Sequence, residues 1–240
     1  MKLFLPHSGN LGDTSAILPS ISGHYKDTGR KITLILREKM RQFVGLQELY
    51  EAQPGIKKVY FETDGIEPNI SICLSNEFVH IDHRPVETNR YAINFSRIFN
   101  TSCDDDFELV IPEKYRGLKF PETEDKQIAC DRVEFGSCDK RRKFNILNAF
   151  KDELFFIDVT KPLGYNLALI KDSPDYILGT FTGIAVLVDL MWKEQILIYP
   201  NDLIHWDGSK SKQELFERHF YTNRRSEWMI MEDYLREIKQ

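Results

Sequence analysis

The chain has 240 residues, 42% of them hydrophobic and 29% charged, which is enough for one large globular domain or two modest ones. A net charge of −5 argues against broad nucleic-acid binding through a basic face. No apolar run nears the ~20 residues of a membrane span, and the N-terminal KLFLP is too short for a secretory h-region and has no cleavage site after it. The expectation is a cytoplasmic protein with no transmembrane segment. Cys73, Cys103, Cys130 and Cys138 form no CxxC pair, so reduced thiols are expected rather than structural zinc.

In chain order, KLFLP (2–6) reads as a strand, and helical apolar spacing runs from Asp13 to about Asp27. Pro19 should kink or split that helix. KITLILR (31–37) is a strand of β-branched and leucine residues, and REKMRQFVGLQELY (37–50) fits a helix closed by Pro54 and Gly55. IKKVYFE (56–62) is a third strand, with NISICL and EFVHID as shorter candidates. ETNRYAINFSRIF (87–99) suits an amphipathic helix carrying Tyr91, Phe95, Ile98 and Phe99 on one face.

An aperiodic stretch with an acidic run and two prolines (104–126) then marks a boundary, placing one domain over 1–120 and a second over 121–240. The second series has strands at 126–135, 154–160, 175–181 and 193–202. Helices are expected at 143–150, 164–173 and 182–192, and the tail suggests two more, the last over 227–239. Alternating elements with short connections imply an α/β fold of mostly parallel sheets covered by helices, ending in a C-terminal helix.

Three loops carry residues suited to chemistry. In LGTFTG, a buried strand runs into Gly179, Thr180, Phe181, Thr182 and Gly183, and an apolar helix starts at once. Unpaired N–H groups, two threonine hydroxyls and a glycine suit a diphosphate, although a threonine cap and a packing glycine account for the same residues. GSCDKRRKF supplies Lys140, Arg141, Arg142 and Lys143 after the first strand of the second series. A solvated charge run explains them, as does neutralisation of a diphosphate at the carboxyl edge of a parallel sheet, with Lys140 and Arg141 the better placed. The opening loop HSGNLGD offers His7, Asn10 and Gly12 for close approach and Asp13 as either a general base or a helix cap.

Weaker candidates are His80, Asp82 and His83, which strand alternation puts on two faces and so argues against a metal site, and the exposed group His205, Trp206 and Asp207. No metal and no cofactor is expected.

HSGNLGDTSAILPSI (7–21) resembles the opening of the ADP-heptose:lipopolysaccharide heptosyltransferase family, and DYILGTFTGIAVLV (175–188) resembles that family's later strand–Asp-Thr-Gly–helix motif. DKRRKF is a looser match to a lysine-bearing loop. The resemblance implies a divergent, shortened GT-B glycosyltransferase: two facing Rossmann-like domains, donor nucleotide sugar held mainly by the second, acceptor by the first. Carried over by position, Asp13 would be the general base. By the same carry-over Thr182 and Gly183 would bind the donor's diphosphate with Lys140 at the phosphates, without a metal; the loop readings above add Thr180 and Arg141 to the donor side and His7, Asn10 and Gly12 to the acceptor side. Phe181 replaces the family's aspartate, and Val186 stands where a histidine is usual.

The partners implied are a nucleotide sugar and a hydroxyl-bearing acceptor, either a glycan such as lipopolysaccharide or a hydroxymethylated DNA base of the kind phage enzymes modify. A basic groove of Lys26, Arg30, Arg37, Lys39 and Arg41 would favour DNA. A sugar-nucleotide epimerase and a non-catalytic nucleotide-binding or interaction protein on the same scaffold are the rival classes.

Overall fold

The computed structural model describes residues 2–4, 11–65, 72–73, 95–97, 99–121, 128–130, 154–158, 160–173, 175–178, 183–199 and 226–230. In them the chain builds two sheets in which every strand pairing is parallel. The first contains β1 (Lys2–Phe4), β2 (Ile32–Leu36), β3 (Ile56–Phe61) and β4 (Ile72–Cys73), in the order β3-β2-β1-β4. The second contains β5 (Ile128–Cys130), β6 (Leu154–Phe156), β7 (Asp175–Leu178), β8 (Gln195–Tyr199) and β9 (Ser226–Ile230), in the order β6-β5-β7-β8-β9. Each sheet grows outward in one direction and then crosses back, so each has one switch point, between β1 and β4 and between β5 and β7. Open α/β sheets bind ligands beyond the carboxyl ends of those strands.

The expected helix over 13–27 is split. Helix α1 (Leu11–Ser15) gives way at Ala16 and Ile17 to α2 (Leu18–Thr28). Pro19 sits in the first turn of α2, where its missing N–H breaks no helical bond. Asp13 is the third residue of α1, inside the first turn and not at its cap, so the cap reading does not hold.

The single helix expected over 37–50 is also interrupted. A 3₁₀ turn (Glu38–Gln42) stops at Phe43, Gly45 takes a left-handed φ of 75°, and α3 (Leu46–Glu51) follows. The interruption brings the Val44 carbonyl to the Leu163 N–H, 2.7 Å away, at the start of α4 (Leu163–Asp172). A Cβ on Gly45 would lie 2.7 Å from Pro162 Cβ. In the C-terminal region, residues 227–230 of the stretch expected as helix pair along β8 within strand β9. A short apolar run does not reveal its own periodicity, and the open edge of β8 decided the outcome. The remainder of that helix, EFVHID and KFNILNAF lie outside the described residues, whereas Phe95 and Phe99 are helical and stack with ring centroids 4.3 Å apart.

One continuous core joins the halves: Leu18, Leu34 and Tyr50 belong to the same buried cluster as Leu167, Leu187 and Met191. Helix α5 (Gly183–Leu190) is buried from Ile184 to Leu190, as its uninterrupted apolar sequence requires. Residues 104–121 form a strap across both halves, without strand structure. On the first half, the Asp104 carboxylate accepts from Ser22 Oγ (2.6 Å) and Lys26 Nζ (2.5 Å). Gln53, 2% exposed, behaves as a strand partner: its Nε2 donates to the Val110 carbonyl (2.8 Å) and its Oε1 accepts from the Val110 N–H (2.9 Å).

On the second half, the Leu109 N–H donates to the Leu190 carbonyl (2.7 Å). Trp192 ends α5 in a left-handed conformation, φ 60°, with the Trp192 and Lys193 N–H groups reaching back to the Asp189 and Val188 carbonyls. This closure normally uses glycine. A tryptophan there costs about 1–2 kcal/mol, and its indole N–H offsets part of that by donating to the Phe107 carbonyl at 2.8 Å.

Two outcomes follow for the strap. Gln53→Leu strands the Val110 N–H and carbonyl, and should lower unfolding free energy by about 2–3 kcal/mol in urea titration. The Asp172 carboxylate is held below its usual pKa by Lys119 Nζ (2.8 Å) and by the Phe120 N–H (2.7 Å). Its stabilising contribution is therefore present above the ordinary aspartate range and is lost as acid protonates it. Asp172→Asn should flatten the fall in urea midpoint between about pH 5 and pH 3 relative to wild type.

Candidate active site between the two sheets

Strand β1 ends at Phe4 and α1 begins at Leu11; strand β7 ends at Leu178 and α5 begins at Gly183. Both helices thus start at the carboxyl edge of a switch-point strand, and the two starts touch. A Cβ on Gly12 would lie 3.4 Å from Gly183 Cα and 3.5 Å from Val186 Cγ2. A Cβ on Gly183 would lie 2.5 Å from the Gly12 nitrogen, 2.5 Å from Leu11 Cβ and 2.9 Å from the Leu11 carbonyl carbon. Two motifs about 170 residues apart in sequence meet backbone to backbone.

The first turn of α1 is held from its other end. Ser15 Oγ donates to the Leu11 carbonyl (2.7 Å), so the Tyr50 hydroxyl, 2.9 Å away, is left to donate to Ser15 Oγ. Ser15 and Tyr50 are both fully buried, and the Ala16 N–H closes the turn on the Gly12 carbonyl (2.9 Å). The backbone of Asp13 therefore sits in a turn pinned by α3 at one end and by α5 at the other. In α5, the Gln195 side chain at the start of β8 donates to the Ala185 carbonyl (2.9 Å). Val186, 1% exposed, faces the opening loop through Gly12. An apolar contact occupies that position on the helix.

Of the residues singled out in the sequence, Gly12 and Gly183 are brought together and Asp13 lies next to that contact in the chain. The glycine at 183 is required by the approach of α1, which neither the diphosphate reading nor close helix–strand packing anticipated. His7, Asn10, Lys140, Arg141, Thr180 and Thr182 lie outside the described residues, as do His80, Asp82, His83, His205, Trp206 and Asp207. In chain order, residues 131–153 follow β5 and residues 179–182 follow β7, the two strands flanking the second switch point. Ser15 and Tyr50 were missed because a 35-residue separation leaves no local signal.

The basic groove is altered by pairing. Lys26 is bound to Asp104, and Arg41 bridges Glu38 (2.6 Å) and Asp64 (2.7 Å), which raises its pKa further. A separate cavity of about 470 Å³ lies between the strap and α4, walled by Leu109, Ile111, Leu118 and Ala168. The Glu108–Lys171 ion pair stands at its rim. It contains none of the predicted site residues. Among the described residues no group of three or more His, Cys, Asp or Glu stands together as a metal site, and no helix is long and apolar enough to cross a membrane.

No protein-family model matches the sequence, and no curated protein does. Solved structures do match in shape. A glycosyl transferase family 9 protein from Veillonella parvula aligns over 100% of this chain and 89% of its own, with a TM-score of 0.57 and 13% identity. E. coli heptosyltransferase WaaC with ADP aligns over 96% of this chain and 93% of its own, with a TM-score of 0.56 and 9% identity. The same enzyme with ADP-2-deoxy-2-fluoro heptose aligns over 100% and 99%, with a TM-score of 0.58 and 8% identity. With its two parallel sheets meeting at their carboxyl edges, this chain has the heptosyltransferase-like GT-B fold of the glycosyltransferases it matches.

Proposed function

We propose that this protein is a metal-independent glycosyltransferase that moves a sugar from a nucleotide-sugar donor to an acceptor hydroxyl. The observation that carries the reading is the contact of Gly12 with Gly183, which joins the loop of a candidate base to the turn of a candidate diphosphate site. In this reading residues 1–120 form the acceptor-side domain and 121–240 the donor domain. Thr180, Thr182 and the N–H groups at the start of α5 hold the diphosphate, with Lys140 and Arg141 offsetting its charge. His7, Asn10 and Gly12 border the acceptor.

Asp13 takes the proton of the acceptor hydroxyl while that oxygen bonds to the anomeric carbon. The bond from that carbon to the donor's diphosphate oxygen breaks, and the nucleoside diphosphate leaves with the electron pair. Helix α5 and the cations stabilise the charge on the leaving group.

Two of the matching structures, both of E. coli heptosyltransferase WaaC, hold ADP and ADP-2-deoxy-2-fluoro heptose, which supports a nucleoside diphosphate sugar as donor. Pairing of Lys26 and Arg41 with carboxylates neutralises two of the five cations that would have made a basic groove for DNA and favours a glycan acceptor such as lipopolysaccharide over a modified DNA base.

A thermal-shift panel of nucleoside diphosphates and sugar nucleotides should raise Tm for the donor by mass action; no response to any nucleotide removes the reading. Asp13→Asn should keep that shift and lower turnover by about 10²–10⁴-fold, the range of general-base catalysis. Undiminished transfer by the variant rules out Asp13 as the base. A non-catalytic binder would shift with nucleotide in both forms and transfer in neither.

A further inference from the structure

We infer that Gly183 is a positioning residue: its missing side chain sets the distance between the candidate base and the donor turn. The inference rests on the glycosyltransferase reading above. Three observations carry it. The place a Cβ would take at 183 is filled by the Gly12 nitrogen, Leu11 Cβ and the Leu11 carbonyl carbon, at 2.5, 2.5 and 2.9 Å. Two of the three are backbone atoms and the third is a Cβ, so no side-chain rotation relieves the overlap. Neither helix can absorb it locally. Helix α5 is buried from Ile184 to Leu190, with its carbonyls tied to Gln195 and Leu109, and α1 is tied through Ser15 to Tyr50. Any residue larger than glycine must therefore move the starts of α1 and α5 apart by several tenths of an ångström to about 1 Å, since ordinary carbon contacts lie near 3.5–4.0 Å.

Asp13 follows Gly12, and Thr182 precedes Gly183. A displacement at this contact therefore becomes a displacement of base from donor. Transfer is sensitive to such a change, because a misplacement of about 1 Å can cost 10²-fold in rate. The contact is asymmetric. A Cβ on Gly12 meets Gly183 Cα and Val186 Cγ2 at 3.4 and 3.5 Å, ordinary packing distances, so only position 183 is obliged to be glycine.

The test compares Gly183→Ala with Gly164→Ala. Gly164 lies in α4 against Tyr115 Cδ2 (2.8 Å) and Pro112 Cδ (3.0 Å), so alanine there is also crowded, but away from the two loops. Both variants should lower Tm by several degrees, and Gly12→Ala should leave Tm unchanged. Of the two crowded variants, Gly183→Ala alone should lower kcat, by about tenfold or more, while its dissociation constant for the nucleoside diphosphate product stays within about threefold of wild type. Unchanged kcat in Gly183→Ala overturns the positioning role and leaves the glycosyltransferase reading standing. An equal fall in kcat for Gly164→Ala overturns it as well, because the effect is then general destabilisation. Wild-type protein that neither binds nucleotide nor transfers sugar overturns the underlying reading and the inference with it.

Discussion

The approach of two helix starts, at Gly12 and Gly183, is the constraint on which the candidate site depends. Backbones come this close only where a side chain is absent, and here the missing Cβ of Gly183 is what admits α1. The carboxyl edges of two separate sheets are brought to one place by it. Strand order explains why that place suits a ligand. Each sheet reverses its direction of growth beside the strand that feeds one of these helices, and open α/β sheets bind ligands at such switch points.

The contact is small, so the orientation of the two sheets must be held by more than it. Residues 104–121 contribute through buried hydrogen bonds more than through surface charge. The ion pairs Lys171–Glu108 and Lys119–Asp172 involve lysines about half or more exposed, and such pairs contribute little. Gln53 and Trp192 matter more. The first completes a strand-like pairing with Val110 from inside the core, and the second accepts a strained backbone while its indole binds Phe107. Together with the apolar cluster that runs through both halves, they make the strap a shared structural element and not a slack tether.

The same tertiary constraints reassign local sequence. The stretch 37–50 has the composition of one helix, yet it breaks at Gly45 so that Val44 can receive the first N–H of α4. The stretch from 227 has apolar spacing that suits a helix, yet its residues 227–230 extend the second sheet along the edge that β8 offers. Asp13, acceptable as a cap by residue type, falls within the first turn of α1 because that helix starts two residues earlier.

The sequence by itself determined the alternation of strands and helices, a split of the first helix near Pro19 and the two glycine-bearing loops. Those signals are local: they depend on periodicity, on a proline's missing N–H and on a glycine's missing side chain. Tertiary structure alone decided that Gly12 and Gly183 are partners, that Tyr50 anchors the turn bearing Asp13, and that Gln53 and Trp192 grip the strap. Each of these pairs residues dozens to well over a hundred positions apart. Chain separation carries no trace of such a contact until packing closes it.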